Sequence, residues 1–201
     1  QVNIPSSATA TIEKAASSIT INDAEWPGTK TYGDPDFPLT GVTTVGDGAV
    51  TKTSDSANVL TVDEDGQATI HGAGTANVTI RMENGTNYTA GNNSRPITVQ
   101  KGTISLNLKA GKKTDLMQGL LAVLGNVEDT YVLTLEAKGA YQDVLAGTVI
   151  FYENGQQLNQ TPITLTNGTA SMEYSVPSAG THEISAEYVL PADGPEKENY
   201  N

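Results

Sequence analysis

One module is written twice in this chain. Asp65-Gly66-Gln67-Ala68-Thr69-Ile70 leads to Ala73-Gly74-Thr75-Ala76-Asn77-Val78-Thr79, and Asn167-Gly168-Thr169-Ala170-Ser171-Met172 leads to Ala179-Gly180-Thr181-His182-Glu183-Ile184-Ser185. In each copy an Asp-Gly or Asn-Gly pair, which accepts the positive φ of a tight turn, opens a strand, an Ala-Gly-Thr turn and a second strand. Each reads as a hairpin. In the second strands Ala76, Val78, Ile80 and Met82 alternate with polar residues, as do Ile184, Ala186 and Tyr188. That is the period of a strand with one buried face. Asn87-Tyr88 is echoed by Asn199-Tyr200. The order of elements is kept while the spacing lengthens, as when extra residues settle in surface loops.

A second echo sets the boundaries. The strand-like Ala8-Thr9-Ala10-Thr11-Ile12-Glu13, then Lys14, then Ser18-Ile19-Thr20-Ile21, parallels Pro96-Ile97-Thr98-Val99-Gln100, then Lys101, then Ile104-Ser105-Leu106-Asn107-Leu108. In the second place one strand closes copy one and the next opens copy two. By analogy, residues 1–13 are expected to be the orphan closing strand of a preceding module, 14–101 the first domain, and 102–201 a second domain lacking its last strand. Domains of roughly 90 to 110 residues are of ordinary size.

Copy one offers strands near 18–22, 37–43, 49–53, 58–62, 67–71, 75–82 and 95–101, and copy two near 104–108, 130–137, 147–153, 156–159, 162–166, 169–176 and 181–189. Short strands broken by turns such as Gly46-Asp47-Gly48 and Asn154-Gly155 predict an all-β chain of two tandem β-sandwiches. Thr114–Gly125, with apolar residues at 116, 120, 121 and 124, predicts a turn or two of amphipathic helix.

Gly147-Thr148-Val149-Ile150-Phe151-Tyr152, Asn154-Gly155, Gly168-Thr169-Ala170, Ala179-Gly180-Thr181-His182 and Asn199-Tyr200-Asn201 together resemble the bacterial immunoglobulin-like domains of the group-three type. Through Thr31-Tyr32-Gly33-Asp34-Pro35-Asp36-Phe37, Val62-Asp63-Glu64-Asp65-Gly66 and Gly72-Ala73-Gly74-Thr75, copy one resembles a related module. Thr114–Val127 departs from the pattern, being longer and more apolar. The resemblance implies two tandem immunoglobulin-like β-sandwiches, modules of a large bacterial surface or secreted protein used as stalks, spacers or adhesive units, and so an extracellular location.

Composition narrows the chemistry. With no cysteine, disulfides, thiolate metal sites and cysteine nucleophiles are absent. A net charge of −12, with 11 Lys and Arg scattered singly, argues against nucleic acid as a partner. No apolar run approaches a membrane span, so no membrane insertion is expected. His71 and His182 are the only histidines. His182 follows its turn on the side of Ile184 and Ala186, where an imidazole caps a core, and no catalytic dyad is expected. Asp63, Glu64 and Asp65 sit near a glycine, but an EF-hand register on Gly66 places Thr61 first and no Glu at the end. No metal site and no cofactor are predicted.

Trp26, the sole tryptophan, lies in a loop with Tyr32 nearby. Exposed, the pair would stack on a sugar ring; buried, Trp26 would cover the end of its own core. The expected function is a non-enzymatic spacer with junctions at Lys14–Ser17 and Lys101–Thr103 and no deep pocket. The rival is an adhesin, binding a glycan or host protein through Trp26 and Tyr32 or the loops of copy two. Expected partners are the neighbouring modules of the same chain. Strand exchange between molecules is a further expectation, because residues 1–13 match the strand that copy two lacks.

Overall fold

A computed structural model describes residues 9–113, 129–141 and 143–201. The chain divides into two compact units, Gln1–Gln100 and Lys101–Asn201. Among the described residues it is almost entirely β. The expected helix at Thr114–Gly125 lies outside the described residues.

The first unit carries β1 (Ala15–Ala16), β2 (Ser18–Ile21), β3 (Thr29–Thr31), β4 (Phe37–Pro38), β5 (Val42–Val45), β6 (Val50–Ser54), β7 (Leu60–Val62), β8 (Gln67–Ile70), β9 (Gly74–Met82), β10 (Tyr88–Thr89) and β11 (Gly91–Gln100). One sheet runs β3-β11-β9-β6 and another β4-β8-β7, with the smaller pairs β2-β5 and β1-β10. The alternation of β9 buries Ala76, Val78, Ile80 and Met82. β11 closes the unit, antiparallel to β9 on one edge and parallel to β3 on the other. Its Ile97 and Val99 join Leu60, Ala68 and Ile70 in one apolar core.

The strand expected at 37–43 is two strands in two sheets, β4 with β8 and β5 with β2. Gly41 separates them. Its φ of 74° breaks the extended run, and a Cβ there would meet the Asn22 carbonyl oxygen at 2.9 Å. The strand expected over Ala8–Glu13 is not formed at residues 9–13, which are exposed and irregular; residues 1–8 lie outside the described residues.

The second unit carries β12 (Ser105–Lys112), β13 (Thr130–Lys138), β14 (Thr148–Glu153), β15 (Gln156–Gln157), β16 (Ile163–Thr164), β17 (Thr169–Ser175), β18 (Ile184–Val189) and a single helical turn, α1 (Pro195–Asn199). β12-β13-β17 form one sheet. In the other, β14 pairs with β15 and β16 on one edge and with β18 on the opposite edge. Leu133, Leu135 and Ala137 of β13 and Val149 and Phe151 of β14 are buried. At the tight turns Asn154-Gly155 and Asn167-Gly168 all four φ angles are positive, as these pairs predict.

The same latch opens both units. Ala15 pairs in parallel with Tyr88 and donates its N–H to the Asn87 carbonyl at 2.9 Å, while Lys14 Nζ donates to the Gly85 carbonyl at 2.7 Å. Gly102 pairs in parallel with Tyr200 and donates to the Asn199 carbonyl at 2.8 Å, while Lys101 Nζ donates to the Lys197 carbonyl at 2.6 Å. In each case the lysine reaches the residue three before the tyrosine. The repeated Lys and Asn-Tyr letters are therefore two ends of one contact.

Candidate functional site

Trp26 is 9% exposed and belongs to the first core, and its Nε1–H donates to the Pro96 carbonyl at 3.0 Å. Tyr32 packs half-buried against the same core, with its backbone N–H on the Gln100 carbonyl. The structure therefore puts both residues beside one core, where little of Trp26 is left for a sugar ring to stack on. Nearby, Lys30 Nζ sits 4.4 Å from the centre of the Phe37 ring.

A polar cluster of His182, Glu153 and Tyr174 lies in the second unit. His182 follows the Ala179-Gly180-Thr181 turn and Glu153 ends β14. The antiparallel pairing of β14 with β18 sets Glu153 opposite Ile184, beside the imidazole. Nδ1 of His182 bonds to Glu153 Oε1, and Nε2 bonds to the Ser178 carbonyl at 2.9 Å. A carbonyl oxygen only accepts, so Nε2 carries a proton; a carboxylate only accepts, so Nδ1 carries the other. The Glu153 carboxylate, and then the Ser178 carbonyl, raise the His182 pKa. The Tyr174 hydroxyl and His182 hold the Glu153 carboxyl below its ordinary value. Burial, followed by the nearby Glu153 carboxylate, pushes the Tyr174 phenol up to about 12. Tyr174 Oη is fully buried and makes no hydrogen bond of standard geometry.

Tyr174 and His182 of this cluster wall a cleft of about 360 Å³, lined also by Asp129, Leu133, Val176, Gly180 and Ile184 among others. No deep pocket is expected from the sequence, and this cleft of the second unit is half open to its surroundings. The comparison with the first unit gives the reason. β9 is flanked on both edges, by β6 and β11. β18, its counterpart, pairs only with β14, so the flank beside Gly180 and His182 has no strand partner among the described residues. Sequence reading placed His182 at the core but missed Glu153, because only strand register brings residues so far apart in the chain together.

His71 lies apart from this cluster, with Nε2 on the Thr61 hydroxyl at 2.7 Å. Among the described residues no group of three or more His, Asp or Glu is placed to hold a metal ion. None of their helices is long and apolar enough to cross a membrane.

No family model and no curated protein matches this chain. Among solved structures it is similar to "Structure of surface layer protein SbsC, domains 1-6", with 13% identity, a TM-score of 0.29, and coverage of 90% of this chain and 27% of that one. The chain spans about a quarter of that structure's length. At such a TM-score the likeness carries no argument.

Proposed function

We propose that the chain is a pair of tandem immunoglobulin-like modules that act, without catalysis, as an extracellular spacer in a bacterial cell-surface or secreted protein. The latch made twice carries this reading. Lys14 with Gly85, and Lys101 with Lys197, fasten the entry of each unit by the same chemistry. An entry fixed identically at each repetition suits serial joining of modules. The state of His182 supports a non-catalytic role, since a ring with both nitrogens facing acceptors has no lone pair to take a proton from a substrate. Burial of Trp26 supports the spacer over the adhesin that would use its ring.

Two measurements test the proposal. Pulling single molecules from their ends is expected to give two separate unfolding steps, each lengthening the chain by roughly 300 Å, the reach of about a hundred extended residues. A glycan array is expected to show no saturable binding. One merged unfolding step would overturn the modular reading, and saturable glycan binding abolished in a folded Trp26→Ala variant would turn the assignment to an adhesin.

A further inference from the structure

In the first unit β11 lies antiparallel to β9, with Ile97 opposite Ala76 and Val99 opposite Gly74, and both β11 side chains are buried. β9 consequently keeps strand geometry from Gly74 onward. In the second unit the matching residues are Gly180 for Gly74, His182 for Ala76, Ile184 for Val78 and Ala186 for Ile80. Here the strand begins only at Ile184, and residues 181–183 join no ladder. Val78 and Ile80 are completely buried, whereas Ile184 and Ala186 are half-exposed. Backbone groups on the outer edge of β18 therefore face outward without a strand partner among the described residues. Such an edge is a template for an added strand.

The chain also carries a segment of the matching kind. With Lys14 set on Lys101, Thr9-Ala10-Thr11-Ile12-Glu13 falls on Pro96-Ile97-Thr98-Val99-Gln100. Ala10 and Ile12 take the places of the buried Ile97 and Val99, yet residues 9–13 are exposed, with Ile12 at 94%. An apolar side chain so open, inside a strand-like pattern, has nothing among the described residues of its own unit to cover it.

We infer that residues 9–13 of a second copy add to the outer edge of β18 as an antiparallel strand, with Ala10 opposite His182 and Ile12 opposite Gly180. The register is that of β11 on β9. The added strand extends β18 back to Gly180, and Ala10 and Ile12 enter the cleft against Leu133, Tyr174, Val176 and Ile184. The contact is heterologous, so copies join head to tail and association grows with concentration. This inference rests on the internal repeat and holds whether the modules serve as a spacer or as an adhesin.

Sedimentation velocity of the 201-residue chain, from micromolar to millimolar, tests it. The expected result is a concentration-dependent shift from monomer to dimer and larger species. Ile12→Asp, a change at a residue that is 94% exposed among the described residues of its own unit, is expected to weaken association at least about tenfold, because the new carboxylate would have to enter a cleft that the like-charged Asp129 already lines beside Leu133, Val176 and Ile184. A variant lacking residues 1–13 is expected to stay monomeric and to bind a synthetic peptide of residues 4–14 one to one, slowing amide exchange over 180–189. The inference is overturned if the chain stays monomeric throughout, if association survives removal of residues 1–13, or if the peptide leaves exchange at 180–189 unchanged. A monomer in which residues 9–13 are already protected would equally overturn it, since the strand would then be supplied within one molecule.

Discussion

Glu153 and His182 meet as a carboxylate and an imidazolium, with side chains 16% and 17% exposed. The pair ties the end of β14 to the turn before β18, with His182 also lining the cleft. Each group is shifted toward its charged form, Glu153 downward and His182 upward. That coupling makes the second unit's stability depend on pH in a definite direction.

His182 is held above its ordinary 6.5, so its contribution is fully present below pH 6.5 and is lost as pH rises through the raised folded value. Glu153 is held below its ordinary 4.5, so its contribution is fully present above pH 4.5 and is lost as pH falls through the lowered folded value. Both contributions are complete between those two values. Thermal unfolding of wild type and His182→Gln across pH 3 to 9, at fixed ionic strength, should give a difference that is largest in this interval and shrinks on both sides. A difference independent of pH would show that the imidazole is not charged.

Trp26 predicts the cost of opening the first core. Replacing a buried tryptophan by alanine typically costs about 3–5 kcal/mol. Trp26→Phe keeps most of the packing but leaves the Pro96 carbonyl without its donor, a loss of about 1 kcal/mol. Urea unfolding followed by far-ultraviolet circular dichroism should rank the variants in that order. A Trp26→Ala protein as stable as wild type would mean that the ring is not a core residue.

Cutting the latch should weaken each unit unequally. Tyr200 is 2% exposed; its hydroxyl accepts from the Ala140 N–H at 3.1 Å and donates to the Asp143 carboxylate at 2.5 Å. Tyr200→Phe strands a backbone donor and removes a bond to a carboxylate, a loss of about 2 kcal/mol. Lys14→Met removes one bond at the surface, costing less than about 1 kcal/mol. Urea midpoints of the two variants should differ in that sense, and equal losses would contradict the burial seen at Tyr200.

What could be read from the letters was what local physics decides. Asn154-Gly155 and Asn167-Gly168 announce their turns because few other pairs accept positive φ twice in succession. Val78 and Ile80 announce a buried face by alternation. Gly41 was the missed signal in 37–43, a glycine whose φ splits one apparent strand into two sheets. The Lys14 and Asn87-Tyr88 echoes were visible as repetition, but their parallel pairing joins residues over seventy positions apart and has no local trace. Glu153 was silent for the same reason. The cleft was hidden more deeply, since it lies beside an edge of β18 that has no strand partner among the described residues.

Gly139 offers the sharpest steric test of the second latch. Its φ lies outside the range that favours glycine, so alanine would meet no conformational penalty there. A Cβ at this position would nevertheless sit 2.2 Å from Tyr200 Oη and 2.6 Å from its Cζ, with Asp143 Cβ at 3.1 Å. Close packing of that ring leaves no room to yield, so Gly139→Ala must push Tyr200 from its seat, at about 1–3 kcal/mol. If the clash is with the ring, removing the ring relieves it. In urea unfolding, Gly139→Ala should cost markedly less in a Tyr200→Ala background than in wild type, and that non-additivity measures the contact. Full additivity would place the damage elsewhere and deny that Gly139 exists to admit Tyr200.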